Sequence, residues 1–169
     1  MIGRSYEKIE DADLARLAEL AREDRDGFFR RNPRWRDLYA TRIVAVALCQ
    51  GAAQHFVDGR NGIKDFDVWT FFAQHSDSPF PYRRRGTLDF GPSKFGRWPE
   101  DRATFIGRRV DLLARSLPCS VDADPVEALR RYLSQPTTKS AAELAHKAAV
   151  LLEPIRHRGM IVWPVPRLR

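Results

Sequence analysis

The chain has 169 residues, a formal net charge of +7 and apolar residues at 43% of its positions. This length and composition predict one globular domain with its own core, and they exclude a disordered or fibrous protein. The longest apolar run covers only residues 43–49, whereas a membrane span needs roughly 18 to 20 residues, so we expect no membrane helix. Charges are spread through the first 30 residues without the apolar segment of a secretory signal. We therefore expect a cytoplasmic protein.

The positive charge is concentrated in residues 83–115, which contain nine basic and four acidic side chains. A basic segment of this kind favours a polyanionic partner such as a nucleotide or a nucleic acid. The charge pattern alone does not choose between these partners.

The N-terminal part of the chain predicts two helices. The first follows Asp11 or Asp13, where apolar residues begin to recur at helical spacing, and Gly27 marks its expected end. The Asn-Pro pair that follows predicts a second, short helix over residues 32–39, because asparagine caps helices and proline is tolerated at the first helical position.

The middle of the chain predicts three strands. Residues 43–48 are continuously apolar and partly β-branched, which is typical of a strand covered on both faces. After a helical turn at residues 51–56, residues 64–72 predict the second strand. Residues 73–99 are rich in proline and glycine, and a loop of that length either contains a hairpin or has a functional role. Residues 105–113 predict the third strand.

The C-terminal part predicts two helices and one strand. An Asp-Pro-x-Glu pattern from Asp124 predicts a helix that stops before Pro136. A Ser-x-x-Glu pattern from Ser140 predicts a second helix that continues to Glu153. Residues 160–165 predict a last strand at the edge of the sheet, because prolines interrupt them.

The order of these elements predicts a single domain over residues 1–169, of the α/β (α+β) class. We expect a mixed sheet with flanking helices, built on a core at residues 43–113. Residues 120–155 are expected to form a helical C-terminal region.

Two aspartates on the second predicted strand are the most informative feature of the sequence. Asp65 and Asp67 are two residues apart, so in a strand they lie on the same face. Two neighbouring carboxylates repel each other unless a cation lies between them or water covers them, and hard divalent ions prefer carboxylate oxygens. The pair therefore indicates either a metal site or a solvated strand face.

Two further features favour the metal site. Asp111 lies between apolar residues on the third predicted strand, where an acid is costly unless it faces a site or has a partner. Upstream, the first predicted strand leads directly into Gly51, and a glycine at a strand-to-helix junction lets backbone N–H groups approach phosphate oxygens.

This pattern resembles that of the nucleotidyltransferase superfamily, the DNA polymerase beta-like fold that includes minimal nucleotidyltransferases. The family has an apolar strand ending in Gly-Ser or Gly-Gly, then an acid-x-acid strand, then a third acid. The corresponding residues here are Gly51-Ala52, the pair Asp65 and Asp67, and Asp111, within residues 43–113. Ala52 departs from the family pattern because it lacks the serine hydroxyl that helps to hold the terminal phosphates.

The resemblance implies the nucleotidyltransferase fold and a metal-dependent reaction. Asp65, Asp67 and Asp111 would be the catalytic residues and would bind Mg²⁺ or Mn²⁺. A nucleoside triphosphate would be the donor, and its nucleoside monophosphate would move to an acceptor hydroxyl. Gly51 and Ala52 would lie against the nucleotide.

Cations are needed near the leaving pyrophosphate. The candidates for this role are Lys64, Lys94 and the run Arg83, Arg84 and Arg85. Alternatively, Lys64 points away from Asp65 and the three arginines belong to a solvated loop. His55 could reach the phosphates or have a structural role.

Aromatic residues occur both on the second predicted strand and in the basic segment. Trp69, Phe71 and Phe72 fit core packing better than base stacking, because they share one strand. Phe95 and Trp98 alternate with basic residues, which suits a stacked base.

The acceptor could be an RNA, a protein or a small molecule, and a partner protein or a second subunit could complete the cleft. The alternative function is that of a catalytically inactive relative that binds RNA or a protein partner through residues 83–115. Ala52 favours this alternative, whereas the three acids in the family order favour the enzyme.

Overall fold

The computed structural model describes residues 3–80 and 85–167, with Arg85 described by its backbone alone. Within these residues, five α-helices and six strands follow in chain order: α1 (Asp11–Arg31), α2 (Pro33–Tyr39), β1 (Ile43–Cys49), α3 (Gln50–Asp58), β2 (Phe66–Ala73), β3 (Arg85–Asp89), β4 (Arg109–Leu117), α4 (Pro125–Ser134), α5 (Lys139–Leu144), β5 (Ala149–Glu153) and β6 (Ile161–Trp163). Among the described residues, no helix is both long and apolar enough to cross a bilayer.

The six strands form one mixed sheet in the order β3-β4-β2-β1-β5-β6. Strands β2 and β4 are parallel, and the other neighbouring strands are antiparallel. The predicted mixed sheet with flanking helices is therefore confirmed, as is the edge position of the last strand.

Helices cover both faces of the sheet. Helices α1 and α3 pack on one face, where they bury Val46, Leu48 and Val68. Helix α4 and the short α5 pack on the other face, over Ala47 and Trp69. Because side chains of β1 are buried on both faces, the strand has the continuously apolar sequence from which it was predicted.

Helix α1 begins earlier and ends later than predicted. Its N-cap is Glu10, and the backbone of Glu10 donates to the Asp13 carboxylate at 2.8 Å. Gly27 does not end the helix, which continues to Arg31. The last turn is held because Phe28 and Phe29 pack edge-on against aromatic rings of the core. Helix α2 lies where it was predicted.

The predicted C-terminal helices are correct only in part. Helix α4 has the expected cap, in which Asp124 accepts a hydrogen bond from the Glu127 amide at 3.0 Å. Helix α5 is capped by Thr138 and has only six residues. The prediction that it continues to Glu153 is wrong, because Ala149–Glu153 is strand β5, paired with β1 and buried on both faces.

The third predicted strand begins later than expected. The residues just before it form a loop, held by the Asp89 carboxylate, which accepts from the amides of Ile106 and Gly107 at 2.8 and 2.9 Å. Strand β4 therefore begins at Arg109 and extends to Leu117. The long segment 73–99 contains strand β3, which pairs antiparallel with β4.

Candidate active site

Three aspartates meet at one end of the central strands. Asp67 in β2 is opposite Asp111 in the parallel pairing with β4, and Asp65 lies immediately before β2. One oxygen from each of these carboxylates lies within 4.8 Å of the others. Asp111 is buried at 2% exposure, and the other two are half-buried. The three residues, named here the acid cluster, are therefore brought together as the sequence predicted.

Neighbouring side chains hold Asp111 in place. Thr87 is opposite Asp111 in the pairing of β3 with β4, and its hydroxyl donates to Asp111 Oδ1 at 3.4 Å. The guanidinium of Arg109 lies on the other side, with Nε 3.3 Å from Asp111 Oδ2. The buried acid is thus compensated by a hydroxyl and by a positive charge, as a buried carboxylate requires.

Arg109 binds three carboxylates at once. Besides Asp111, it contacts Asp65 through Nη2 at 2.9 Å and Asp101 through Nη1 at 3.3 Å. Burial alone would lower the pKa of Arg109, but the charges of Asp111, Asp65 and Asp101 outweigh burial and raise this pKa above its ordinary value. Arg109 is therefore a permanent cation within the acid cluster.

The junction between β1 and α3 lies beside the acid cluster. Cys49, the last residue of β1, is opposite Asp67, and burial together with the charge of Asp67 raises the pKa of its thiol. Gln50 adopts a positive φ of 58°, which is a strained conformation of a kind that clusters at functional sites. Asn61 Nδ2 donates to the carbonyl of Gly51 at 3.0 Å and fixes the turn.

Gly51 lies close to the Asn61 side chain, so a larger residue at this position would be crowded. A Cβ at this position would lie 3.2 Å from Asn61 Nδ2 and 4.0 Å from Lys147 Nζ. Ala52 follows it at 2% exposure, and both residues line one cavity beside the acid cluster. The space beside the Gly51 Cα is therefore filled by the Asn61 amide, and any side chain at position 51 would have to displace it.

Two cavities adjoin the acid cluster. The first, named the Lys64 cavity, has a volume of about 280 Å³ and is lined by Gly51, Ala52, Lys64, Asp65, Asp67 and Lys147, among others. The second, named the Trp69 cavity, has a volume of about 180 Å³ and is lined by Trp69, Asp67, Asp111, Leu113, Ser140 and Glu143, among others. Both cavities share Gln50, Asp67 and Glu143, so the two cavities meet at the acids.

Trp69 contributes a buried hydrogen-bond donor to the second cavity. The residue is 3% exposed, and its indole Nε1 has no hydrogen-bond partner among the described residues. A buried unpaired donor costs free energy. A ligand in the Trp69 cavity that offers an acceptor oxygen would relieve this cost.

The structure separates the basic residues that were predicted to bind the nucleotide. Lys64 lines the cavity beside Asp65, and its Nζ also lies 5.3 Å from the centre of the Trp98 ring. Lys94 is not brought to the acid cluster, because it pairs with Glu10 and Asp13 at 3.6 and 3.1 Å, around the start of α1. Arg83, Arg84 and the side chain of Arg85 lie outside the described residues.

His55 has a structural role. Its Nδ1 accepts from the Gly62 amide at 3.0 Å, so Nε2 carries the proton and donates to the Glu7 carbonyl at 3.1 Å. The ring is buried and links α3 to the N-terminal segment.

The aromatic residues belong to the core. Trp69, Phe71 and Phe72 are all buried, as predicted. Phe95 is also buried, with its ring against Phe66. The expectation that Phe95 stacks on a base is therefore wrong.

Sequence reasoning missed the roles of Arg109, Asp101 and Lys147. The sequence did contain a signal for Arg109, because this residue is two positions before Asp111 on the same strand and therefore lies on the same face. No local signal could have found Asp101 or Lys147, since each approaches the site from a segment outside the strands that carry the acids.

Comparisons with protein-family models, with curated proteins and with solved structures found no match.

Proposed function

We propose that the protein is a metal-dependent nucleotidyltransferase that moves a nucleoside monophosphate from a nucleoside triphosphate to an acceptor hydroxyl. The observation that carries the proposal is the convergence of Asp65, Asp67 and Asp111 beside the glycine junction at Gly51. The three acids alone would fit many metal sites. Their position where two cavities meet, one of them lined also by Lys64 and Lys147, is what favours group transfer between two substrates.

The residues present fit a divalent cation. The donor set consists of three carboxylates with oxygens within 4.8 Å of one another, and Mg²⁺ and Mn²⁺ prefer such oxygen ligands. The cluster already attracts a cation, the guanidinium of Arg109. A divalent ion held by Asp65, Asp67 and Asp111 would supply charge neutralisation on the phosphates and make the acceptor hydroxyl more acidic.

The Lys64 cavity would hold the triphosphate. Lys64 lines it from one side, and Lys147, whose Nζ is near Gly51, lines it from another. These ammonium groups would offset the charge that develops on pyrophosphate as it leaves. Gly51 and Ala52 line this cavity at the start of α3, where backbone N–H groups would face the phosphates.

The Trp69 cavity would receive the acceptor group. The acceptor oxygen would attack the α-phosphorus and form a new P–O bond, while the bond to the bridging oxygen breaks and pyrophosphate leaves with the electron pair. The hydroxyl proton would pass to a carboxylate oxygen of Asp111, which lines this cavity. The cavity volume of about 180 Å³ suits one side chain or one sugar ring, so a larger acceptor would insert a single protruding group.

The alternative of an inactive binding protein has less support. Several basic residues of segment 83–115 are used internally: Arg97 bonds two backbone carbonyls, Arg108 bonds three, and Arg109 binds the acids. They do not form one free basic surface. Ala52 remains the feature that favours the alternative.

Label transfer tests the proposal. The protein is incubated with each α-³²P-labelled nucleoside triphosphate, Mn²⁺ and a cell extract, and the products are separated by size and by nuclease or protease sensitivity. We expect label in one class of acceptor, dependent on Mn²⁺ and on Asp67. Absence of transfer from all four triphosphates, with protein that binds Mn²⁺, would contradict the proposal.

A further inference from the structure

The acid cluster already contains a positive charge at ion-pair distance. Arg109 approaches Asp65 at 2.9 Å and Asp111 at 3.3 Å. Two of the three carboxylates that would bind a metal ion are therefore neutralised in part by a side chain of the protein.

A free divalent ion and this guanidinium compete for the same oxygens. Like charges at contact distance repel strongly in a half-buried site, where screening by water is incomplete. An ion without other ligands must therefore displace Arg109 from Asp65 and Asp111 or bind beside it against that repulsion.

Arg109 has a partner outside the cluster that can retain it after displacement. Its Nη1 lies 3.3 Å from Asp101, whose side chain is only 6% exposed. The contacts to Asp65 and Asp111 use the other two nitrogens. The guanidinium can therefore release the two acids and stay bound to Asp101.

A metal–triphosphate complex has the opposite charge to a free ion. Four negative charges of the triphosphate exceed the two positive charges of the ion, so the complex as a whole is attracted to a guanidinium rather than repelled. The Lys64 cavity adjoins Asp65 and Asp67. In the Trp69 cavity, which shares Asp67 with it, the buried indole N–H of Trp69 has no hydrogen-bond partner among the described residues and independently indicates a ligand beside the acid cluster.

We propose that Arg109 is the resident counter-ion of the acid cluster and selects for metal that arrives with a triphosphate. It disfavours the free ion, and it favours the metal–triphosphate complex, to which the released guanidinium is attracted. This inference rests on the proposed function, and it assigns Arg109 the role of a positioning residue.

Isothermal titration calorimetry tests the two opposite effects. Wild-type protein and Arg109→Met are titrated with Mn²⁺ alone and with Mn²⁺ plus a non-hydrolysable triphosphate analogue. We expect the variant to bind Mn²⁺ alone at least tenfold more tightly and the Mn²⁺–analogue complex at least threefold more weakly. Arg109→Lys keeps the charge, so its affinities in both titrations should remain within threefold of those of wild type.

Two further variants control the measurement. Arg36→Met removes an exposed arginine of α2 that pairs with Asp37, and it should change neither affinity. If Arg109→Met does not fold, as judged by circular dichroism, Arg109→Gln is titrated in its place.

Each other outcome contradicts the inference in a recognisable way. Suppose that wild type binds Mn²⁺ and that loss of Arg109 either leaves the affinity for Mn²⁺ alone unchanged or raises the affinity for both Mn²⁺ alone and the Mn²⁺–analogue complex. The selective role of Arg109 is then wrong, while the proposed function stands. If neither protein binds Mn²⁺ with or without the analogue, the metal site and the proposed function fail together.

Discussion

Asp67 and Asp111 lie opposite each other in the parallel pairing of β2 and β4. Directly opposite residues on neighbouring strands have closely spaced side chains on the same face, so this register places two carboxylates next to each other. The hydroxyl of Thr87 and the guanidinium of Arg109 then flank Asp111. The sheet register therefore brings together two of the three carboxylates of the acid cluster.

Asp67→Asn should abolish Mn²⁺ binding and leave the fold intact. The substitution removes one charged ligand of the cluster at nearly constant volume, and it also reduces repulsion among the carboxylates, so we expect the free energy of unfolding to change by less than about 1 kcal/mol. Calorimetric titration with Mn²⁺ and thermal denaturation measure the two effects. Asp37→Asn, at an exposed position on α2, is the control, and an Asp67→Asn protein with undiminished affinity would exclude Asp67 as a ligand.

Asn61→Ala should weaken triphosphate binding and reduce stability. Asn61 Nδ2 donates to the carbonyls of Gly51 and Gly62, both at 3.0 Å, and loss of these bonds should cost about 1 to 3 kcal/mol of unfolding free energy. The turn at Gly51 would also lose its support, so affinity for a triphosphate analogue should fall several-fold.

A second asparagine gives a matched control for this test. Asn32 donates to the Phe28 carbonyl at 2.9 Å, at the end of α1. Asn32→Ala should reduce stability without changing nucleotide affinity. Equal affinities for the two alanine variants would show that Asn61 does not support the nucleotide site.

The sequence predicts the acid cluster because the relevant signals are local. Asp65 and Asp67 are two residues apart, and Gly51 follows a recognisable buried strand. The predicted second strand began at residue 64, whereas β2 begins at Phe66, so Asp65 joins the cluster from just before the strand. The meeting of Asp111 with this pair depends on the pairing of β2 with β4. The resemblance implied only that the three acids belong to one site, and nothing in residues 105–113 predicts this pairing.

The failed helix prediction has a similar physical origin. Ala149–Glu153 follows a capped helix and is apolar, and a short apolar run does not distinguish a helix from a strand buried on both faces. What decides is the unpaired edge of β1, which is filled by β5. The position of Lys94 was missed for a related reason. Lys94 forms ion pairs with Glu10 and Asp13, which are far away in sequence, so no local pattern predicts these contacts.

Asp58→Ala should reduce stability at neutral pH and much less at acid pH. Asp58 Oδ1 accepts from the amides of Arg60 and Asn61 at 2.8 and 3.0 Å. These hydrogen bonds hold the pKa of Asp58 below its ordinary value, and the bond from the Arg60 amide contributes most. A depressed pKa contributes stability that is present above the unfolded-state value, about 3.9, and is lost as the pH falls through the folded-state value.

Urea unfolding at pH 7 and at about pH 3 measures this effect. The difference in the free energy of unfolding between wild type and Asp58→Ala should be largest at pH 7 and smaller at about pH 3. A difference that is constant with pH would show that the ionised carboxylate is not what holds the turn. Because the same turn carries Asn61, the variant should also weaken triphosphate binding.

Ala52→Ser tests whether the start of α3 holds phosphate. Ala52 lines the Lys64 cavity directly after Gly51, at the position where the resembling family has a phosphate-binding hydroxyl. A serine there should tighten binding of a triphosphate analogue by about 0.5 to 1.5 kcal/mol, the usual net contribution of one hydrogen bond. Ala53→Ser is the matched control, because Ala53 is fully buried in the core under α3, where an added hydroxyl should reduce stability without any gain in affinity. If Ala52→Ser leaves affinity unchanged or lowers it in a folded protein, the junction does not hold phosphate as the family's does, and the inactive alternative gains support.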